Sequence, residues 1–182
     1  GTAITSGSTG KVIIIEKTNP TDVVNLTQST GTTGRLEIIE GTFVETAASN
    51  ISGSGDLVMS GGTYRTAVAG VSPNFVPQLS GTFNLTGGTI DLNAAGAQIL
   101  KGARDYRNLT FSTSGTKTLS SAPSSITGTV LIQNAAIVDA EVNTFGGAGT
   151  DLTMTGTAKL ITAGSGNGTK PDPRGTYTLG AT

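Results

Sequence analysis

Gly55-Asp56-Leu57-Val58-Met59-Ser60-Gly61-Gly62-Thr63-Tyr64-Arg65-Thr66 contains the whole repeat of this chain in twelve residues. Leu57 and Met59 are two apart, the spacing that puts side chains on one face of a strand. Tyr64 follows Leu57 by seven. Seven is odd, so a continuous strand would turn Tyr64 outward. The glycines between them must therefore bend the chain, so that a second strand faces the same interior. Glycine suits that bend because it reaches positive φ without a Cβ clash.

The phrase recurs along the sequence. Gly34 precedes Leu36 and Ile38, and Gly55 precedes Leu57 and Met59. Gly81 precedes Phe83 and Leu85, Gly128 precedes Val130 and Ile132, and Gly175 precedes Tyr177 and Leu179. Leu109 with Phe111 and Leu152 with Met154 lack the leading glycine at that offset. Ile13 with Ile15 is an earlier, less regular copy. From Leu36 onward the anchors are 21, 26, 26, 21, 22 and 25 residues apart. A third apolar residue lies seven after the anchor at Phe43, Tyr64, Ile90 and Ile137, and Gly-Thr precedes the first three.

Repeats of this length with strand-period pairs predict an all-β chain, a parallel β-solenoid (right-handed β-helix) of about seven to eight coils of 21 to 26 residues. Residues 1–182 form one solenoid segment in this reading. Each coil has one inward strand pair, a glycine corner and a second strand. Coils stacked about 4.8 Å apart give a rod of roughly 35 Å. The expected core stack is Leu36, Ile38, Leu57, Met59, Phe83, Leu85, Leu109, Phe111, Val130, Ile132, Leu152, Met154, Tyr177 and Leu179. Insertions such as Ala67 to Gln78 and Gly164 to Gly175 read as corner loops. The alternative is an antiparallel β-sandwich. It would favour Asn-Gly or Asp-Gly hairpins, and the one such dipeptide, Asn167-Gly168, has no strand pattern beside it.

Composition agrees. Of 182 residues 27 are Gly and 32 are Thr, while aromatics are 4% and charged residues 13%. Few bulky side chains imply a thin core, which narrow coils can fill. Gly and β-branched Thr disfavour helix. There is no Cys and no His, which removes disulfides, thiolate nucleophiles and the commonest general base and metal ligand. A net charge of −1 gives no basic stripe for nucleic acid. No apolar run is long enough to cross a membrane as a helix. The chain opens at Gly1 without Met, which reads as a processed or excised segment of a longer repeat protein.

The stretches GRLEIIEGTFV, GSGDLVMSGGTYRTA, PQLSGTFNLTGGTIDLN, RDYRNLTFSTSGTKTLSS, SITGTVLIQNAAIVD and GTDLTMTGTAKL resemble the repeats of large secreted surface proteins of Bacteroidetes. The resemblance runs from about Gly34 to the end, and the phrase from Arg104 to Leu119 is its most specific part. It implies a solenoid, export by a type IX secretion system, an extracellular or cell-surface location, and an adhesin or filament role. It supplies no catalytic residue and no cofactor. Partners in that role would be further coils, in the same chain or end to end, and surface polysaccharide.

Four charged residues cluster at Lys101, Arg104, Asp105 and Arg107. They are the candidate ligand contacts, for a saccharide or for acid–base chemistry of the β-helix lyase kind. The plain alternative is a solvated corner with Tyr106 packed inward. A carboxylate and a cation sharing one groove would favour a carbohydrate-active protein over a purely structural one. Asp91 and Asp139 are the other candidate acids. Gly146 to Asp151 matches the first six places of a calcium-binding nonapeptide, but Thr153 stands where a large apolar residue is needed, so a glycine corner is expected. Thr-x-Thr at Thr116/Thr118, Thr153/Thr155 and Thr176/Thr178 would bind ice only if the pairs aligned on one flat face. Asn-x-Ser/Thr sequons begin at Asn25, Asn50, Asn84, Asn108 and Asn167, of which Asn84 and Asn108 fall in expected strands.

Overall fold

A computed structural model of the protein describes residues 10, 12–70, 75–140, 150–161 and 177–180. The first coil holds β1 (Val12–Ile15), β2 (Val23–Leu26) and β3 (Thr30–Gly31), and the second β4 (Arg35–Ile38), β5 (Thr42–Glu45) and β6 (Ile51–Gly53). The third holds β7 (Asp56–Met59), β8 (Thr63–Thr66), β9 (Phe75–Val76) and β10 (Gln78–Leu79). The fourth holds β11 (Phe83–Leu85), β12 (Thr89–Leu92) and β13 (Gln98–Leu100), and β14 (Asp105–Tyr106) opens the fifth. Then come β15 (Asn108–Phe111), β16 (Gly115–Leu119) and β17 (Ser125–Ile126), followed by β18 (Thr129–Ile132) and β19 (Ala136–Asp139). The last are β20 (Asp151–Met154), β21 (Lys159–Ile161) and β22 (Tyr177–Leu179).

Each strand pairs with its counterpart in an adjacent coil, and every ladder among the described residues is parallel. The chain is a parallel β-solenoid, and the sandwich is excluded. Three sheets carry most of the wall. The first face is β1-β4-β7-β11, the long face is β2-β5-β8-β12-β15-β18-β20-β22, and the third face is β9-β13-β16-β19-β21. Two narrower sheets, β3-β6-β10 and β14-β17, complete the wall. Among the described residues the first six coils therefore have three or four strands where sequence suggested two. The extra strands are those of the third face, which begins inside the stretch from Ala67 to Gln78 that was expected to be a loop, and of the two narrower sheets.

The corner glycines between the first and long faces behave as the odd spacing requires. Gly41, Gly62 and Gly88 all have positive φ, of 86°, 64° and 75°. They also sit where a neighbouring coil passes close. A Cβ at Gly88 would stand 2.5 Å from the Gly61 carbonyl oxygen. Thr42, Thr63 and Thr89 follow these glycines and stack in register on the outer side.

The inward pairs form two columns per face. On the first face Ile13, Leu36, Leu57 and Phe83 stack, beside Ile15, Ile38, Met59 and Leu85. On the long face the stack Val24, Phe43, Tyr64, Ile90, Leu109, Val130 and Leu152 runs on in register to Tyr177. Beside it run Leu26, Glu45, Thr66, Leu92, Phe111, Ile132 and Met154, with Leu179 next in register.

The single expected stack is thus two. Leu109 and Phe111 lie over Ile90 and Leu92, not over Phe83 and Leu85. The i, i+2 pattern reports only that a strand faces inward, not which wall it belongs to. Through Met154 the expected pairs are buried, except that Leu85 and Met154 are only partly so; the side chains of the last pair, Tyr177 and Leu179, lie outside what is described. Ile137 is a second correction. It lies on the third face opposite Thr116 and points outward, while Ala136 and Val138 beside it are fully buried.

Among the buried polar side chains are two clusters, at Glu45 and at Gln98 with Lys117. Glu45 is fully buried, and one of its carboxylate oxygens accepts from the Ile51 N–H at 2.6 Å. The Glu45 Oε2 and the Tyr64 hydroxyl are buried without a hydrogen-bond partner. Burial raises the Glu45 pKa, and the Ile51 amide opposes that rise. On the third face Gln98 and Lys117 are adjacent in register. The Gln98 amide donates to the Thr66 and Val68 carbonyls at 2.9 Å each, and its oxygen accepts from the Ala94 N–H at 3.0 Å. The Lys117 ammonium donates to the carbonyls of Ala94, Gly96 and Ser114. These side chains satisfy corner groups that the ladders cannot reach. Burial pushes the Lys117 pKa down to about 8, with Asp91 pulling it back up.

Candidate functional site

The first face ends at β11. Strand β14 crosses close to it in the next coil but does not join its sheet. An open groove of about 420 Å³ remains at this step, lined by Asp56, the segment from Ser80 to Phe83 and the segment from Ala103 to Asp105. Gly81 lies where no side chain would fit, because a Cβ would stand 2.4 Å from the Asp56 Oδ1 and 2.6 Å from the Gly55 carbonyl.

The charged groups of the groove are held by the fold. Asp56 Oδ1 accepts from the Thr82 N–H at 2.7 Å. Asp105 Oδ1 accepts from the Ser125 hydroxyl of the next coil, also at 2.7 Å. The Arg104 guanidinium lies 5.1 Å from the centre of the Phe83 ring and donates through Nη2 to the Ser80 carbonyl at 3.2 Å. Its Nε is buried and has no hydrogen-bond partner. Behind it Tyr106 packs edge-on against Phe83, with ring centres 6.4 Å apart. The Tyr106 hydroxyl donates to the Lys101 carbonyl at 2.5 Å. Burial drives the Tyr106 pKa far up, and the Arg104 charge opposes the rise.

The four expected contact residues therefore divide. Arg104 and Asp105 line the groove. Lys101 is tied down, its ammonium donating to the Leu79 carbonyl at 2.5 Å, and burial followed by Arg104 lowers its pKa. Arg107 donates to the Thr127 carbonyl at 2.7 Å and to the Thr127 hydroxyl at 3.3 Å, stapling one coil to the next. Tyr106 does pack inward, as the plain reading had it.

Sequence reasoning missed Asp56, Ser80 and Thr82. They belong to other coils, and only stacking brings them to Arg104. A usable signal existed in the one-coil offset of 26 residues shared by Gly55 and Gly81 and by Asp56 and Thr82.

The remaining candidates resolve into structure. Asp91 forms an ion pair with Arg65 at 2.8 Å and accepts from the Ser112 hydroxyl at 2.6 Å, bridging three coils of the long face. Asp139 is far round the wall on β19. No group of three or more metal-ligating side chains occurs among the described residues. Residues 146–149 of the glycine-rich hexapeptide lie outside the described residues, and Asp151 opens β20. Thr116 and Thr118 are on the third face but Thr153 is on the long face, so these motifs do not align. Thr176 lies outside the described residues. No helix among the described residues is long and apolar enough to cross a membrane.

Compared with known proteins, the chain matches no family model, no curated protein and no solved structure.

Proposed function

We propose that this solenoid is a structural segment of an extracellular, cell-surface filament or adhesin, working without catalysis. The observation that carries the reading is the long face. Eight strands run in one parallel sheet from β2 to β22, with hydrogen bonds directed along the rod and corner side chains held to backbone. Such a wall is stiff, and its corners tolerate insertions, so it can hold variable surface groups at a distance from an anchoring point. The resemblance of the stretches from Gly34 onward to secreted Bacteroidetes repeats points the same way. The absence of His and Cys from the whole sequence removes the usual general base and nucleophile.

Antibody labelling of intact, unpermeabilised producing cells tests the location. Surface label that disappears after external protease treatment is the expected result. A pool found only after permeabilisation overturns the proposal. Incubation with a polysaccharide panel tests the absence of catalysis. Chain cleavage by the purified protein that is lost in Asp105→Asn would make it an enzyme instead.

A further inference from the structure

We infer that the groove at the end of the first face is a binding site for a neutral saccharide. The inference goes beyond the structural role, and its failure would leave the rod and its location untouched.

The donors and acceptors of the groove carry the inference. Asp56 and Asp105 each use one carboxylate oxygen on the protein, at Thr82 and Ser125, which fixes their orientation. The second oxygen of each remains an acceptor for a ligand. Arg104 offers the complementary group. A guanidinium has five N–H donors; here one goes to the Ser80 carbonyl and the buried Nε is out of a ligand's reach, so the Nη groups of this groove-lining residue are the donors on offer. The Phe83 ring under the guanidinium fixes its plane. Rigid acceptors beside a rigid donor fork suit a molecule whose groups both donate and accept. Hydroxyls do both, and a sugar presents several of them at fixed spacing.

Charge selects among sugars. Two carboxylates against one guanidinium leave the groove net negative. A uronate, sulfate or phosphate would meet the carboxylates. A divalent cation would meet Arg104 and only two acidic ligands, fewer than such ions take from an all-protein site. Lys101 does not line the groove, its ammonium being turned to the Leu79 carbonyl. A volume of about 420 Å³ lies within the ordinary range for a small-molecule site.

The test is a printed panel of neutral, uronate-containing and sulfated oligosaccharides probed with the whole purified chain. Titration calorimetry of the retained sugars and a calcium titration without sugar follow. Neutral oligosaccharides should be retained, and Asp105→Asn and Arg104→Met should each weaken them at least tenfold at an unchanged melting temperature. Arg107→Ala, outside the groove, should bind as the parent does. Four results would overturn the inference. They are no retention of any neutral glycan, preference for acidic glycans, unchanged affinity in both groove variants, and calcium binding that Asp105→Asn abolishes.

Discussion

Both principal faces of this solenoid use inward pairs at i and i+2, yet the first face holds four strands and the long face eight. Up to β11 the glycine-led pairs at Leu36, Leu57 and Phe83 build the first face, and the residues seven later build the long one. After β14 the same phrase, now at Leu109 and Val130, builds the long face itself. The first face is replaced by the two-residue strands β14 and β17. The difference teaches that a repeat phrase encodes inward orientation, while wall identity depends on what precedes it in the coil. In the fourth coil a third-face strand, β13, takes the chain round the core before the anchor is reached. The step left behind is the groove.

The two faces also differ in what fills them. The second column of the long face is polar in its lower part, at Glu45 and Thr66, and apolar from Leu92 upward. Four substitutions sharpen this contrast. The largest effect is expected from Phe111→Ala, at a fully buried long-face position. It should cost about 3–5 kcal/mol of unfolding free energy by cavity formation. Leu85→Ala at the half-buried top of the first face should cost about 1 kcal/mol, because little area leaves water there. Denaturant titration of the two variants reads the difference, and equal losses would place both on one stack.

Lys117→Met comes next. It leaves the carbonyls of Ala94, Gly96 and Ser114 without their donor, and should cost about 1–3 kcal/mol at pH 7. Its pH signature separates it from a packing defect. The folded pKa of about 8 lies below the ordinary lysine value of 10.5, so between them the unfolded chain binds the proton that the folded chain has lost. The parent should therefore gain stability from this group as pH rises from 8 towards 10.5. Lys117→Met should lack that gain.

The smallest effect is expected at Glu45. Its pKa is raised on folding, so the folded chain holds a proton that the unfolded chain gives up as pH climbs above the ordinary carboxylate range. Stability from this group is present in acid and lost on the way to neutrality. Glu45→Gln should raise the melting temperature slightly at pH 7 and leave it unchanged at pH 4. A lower melting temperature at pH 7 would mean that the charged form is the stabilising one.

Much of the fold was legible because its causes are local. Alternation at Leu57/Met59 and the odd spacing to Tyr64 required a glycine corner, and Gly62 has the positive φ that such a corner needs. The change of wall at Leu109 was not legible, since it depends on the length of path through β13 and not on any residue near the anchor. Glu45 and Lys117 were readable in principle. Each stands at an inward position of a strand, where a charged residue signals a buried backbone group needing a partner. The candidate site was half legible. Arg104 and Asp105 are neighbours in sequence, but Asp56 reaches them only through two turns of the solenoid.

Asn108 carries a practical consequence for producing this protein. Its side-chain nitrogen donates to the Gly88 carbonyl at 2.7 Å, and its oxygen accepts from the Thr129 N–H at 3.0 Å and the Thr129 hydroxyl at 3.2 Å. One amide thus rivets three successive turns together, and it begins the tripeptide Asn108-Leu109-Thr110 that glycosyltransferases of eukaryotic secretory pathways modify. A glycan attached there during translocation would wedge the turns apart. Yeast or insect secretion should accordingly use Thr110→Val, which removes the sequon and keeps the Asn108 amide, while bacterial expression leaves the rivet intact.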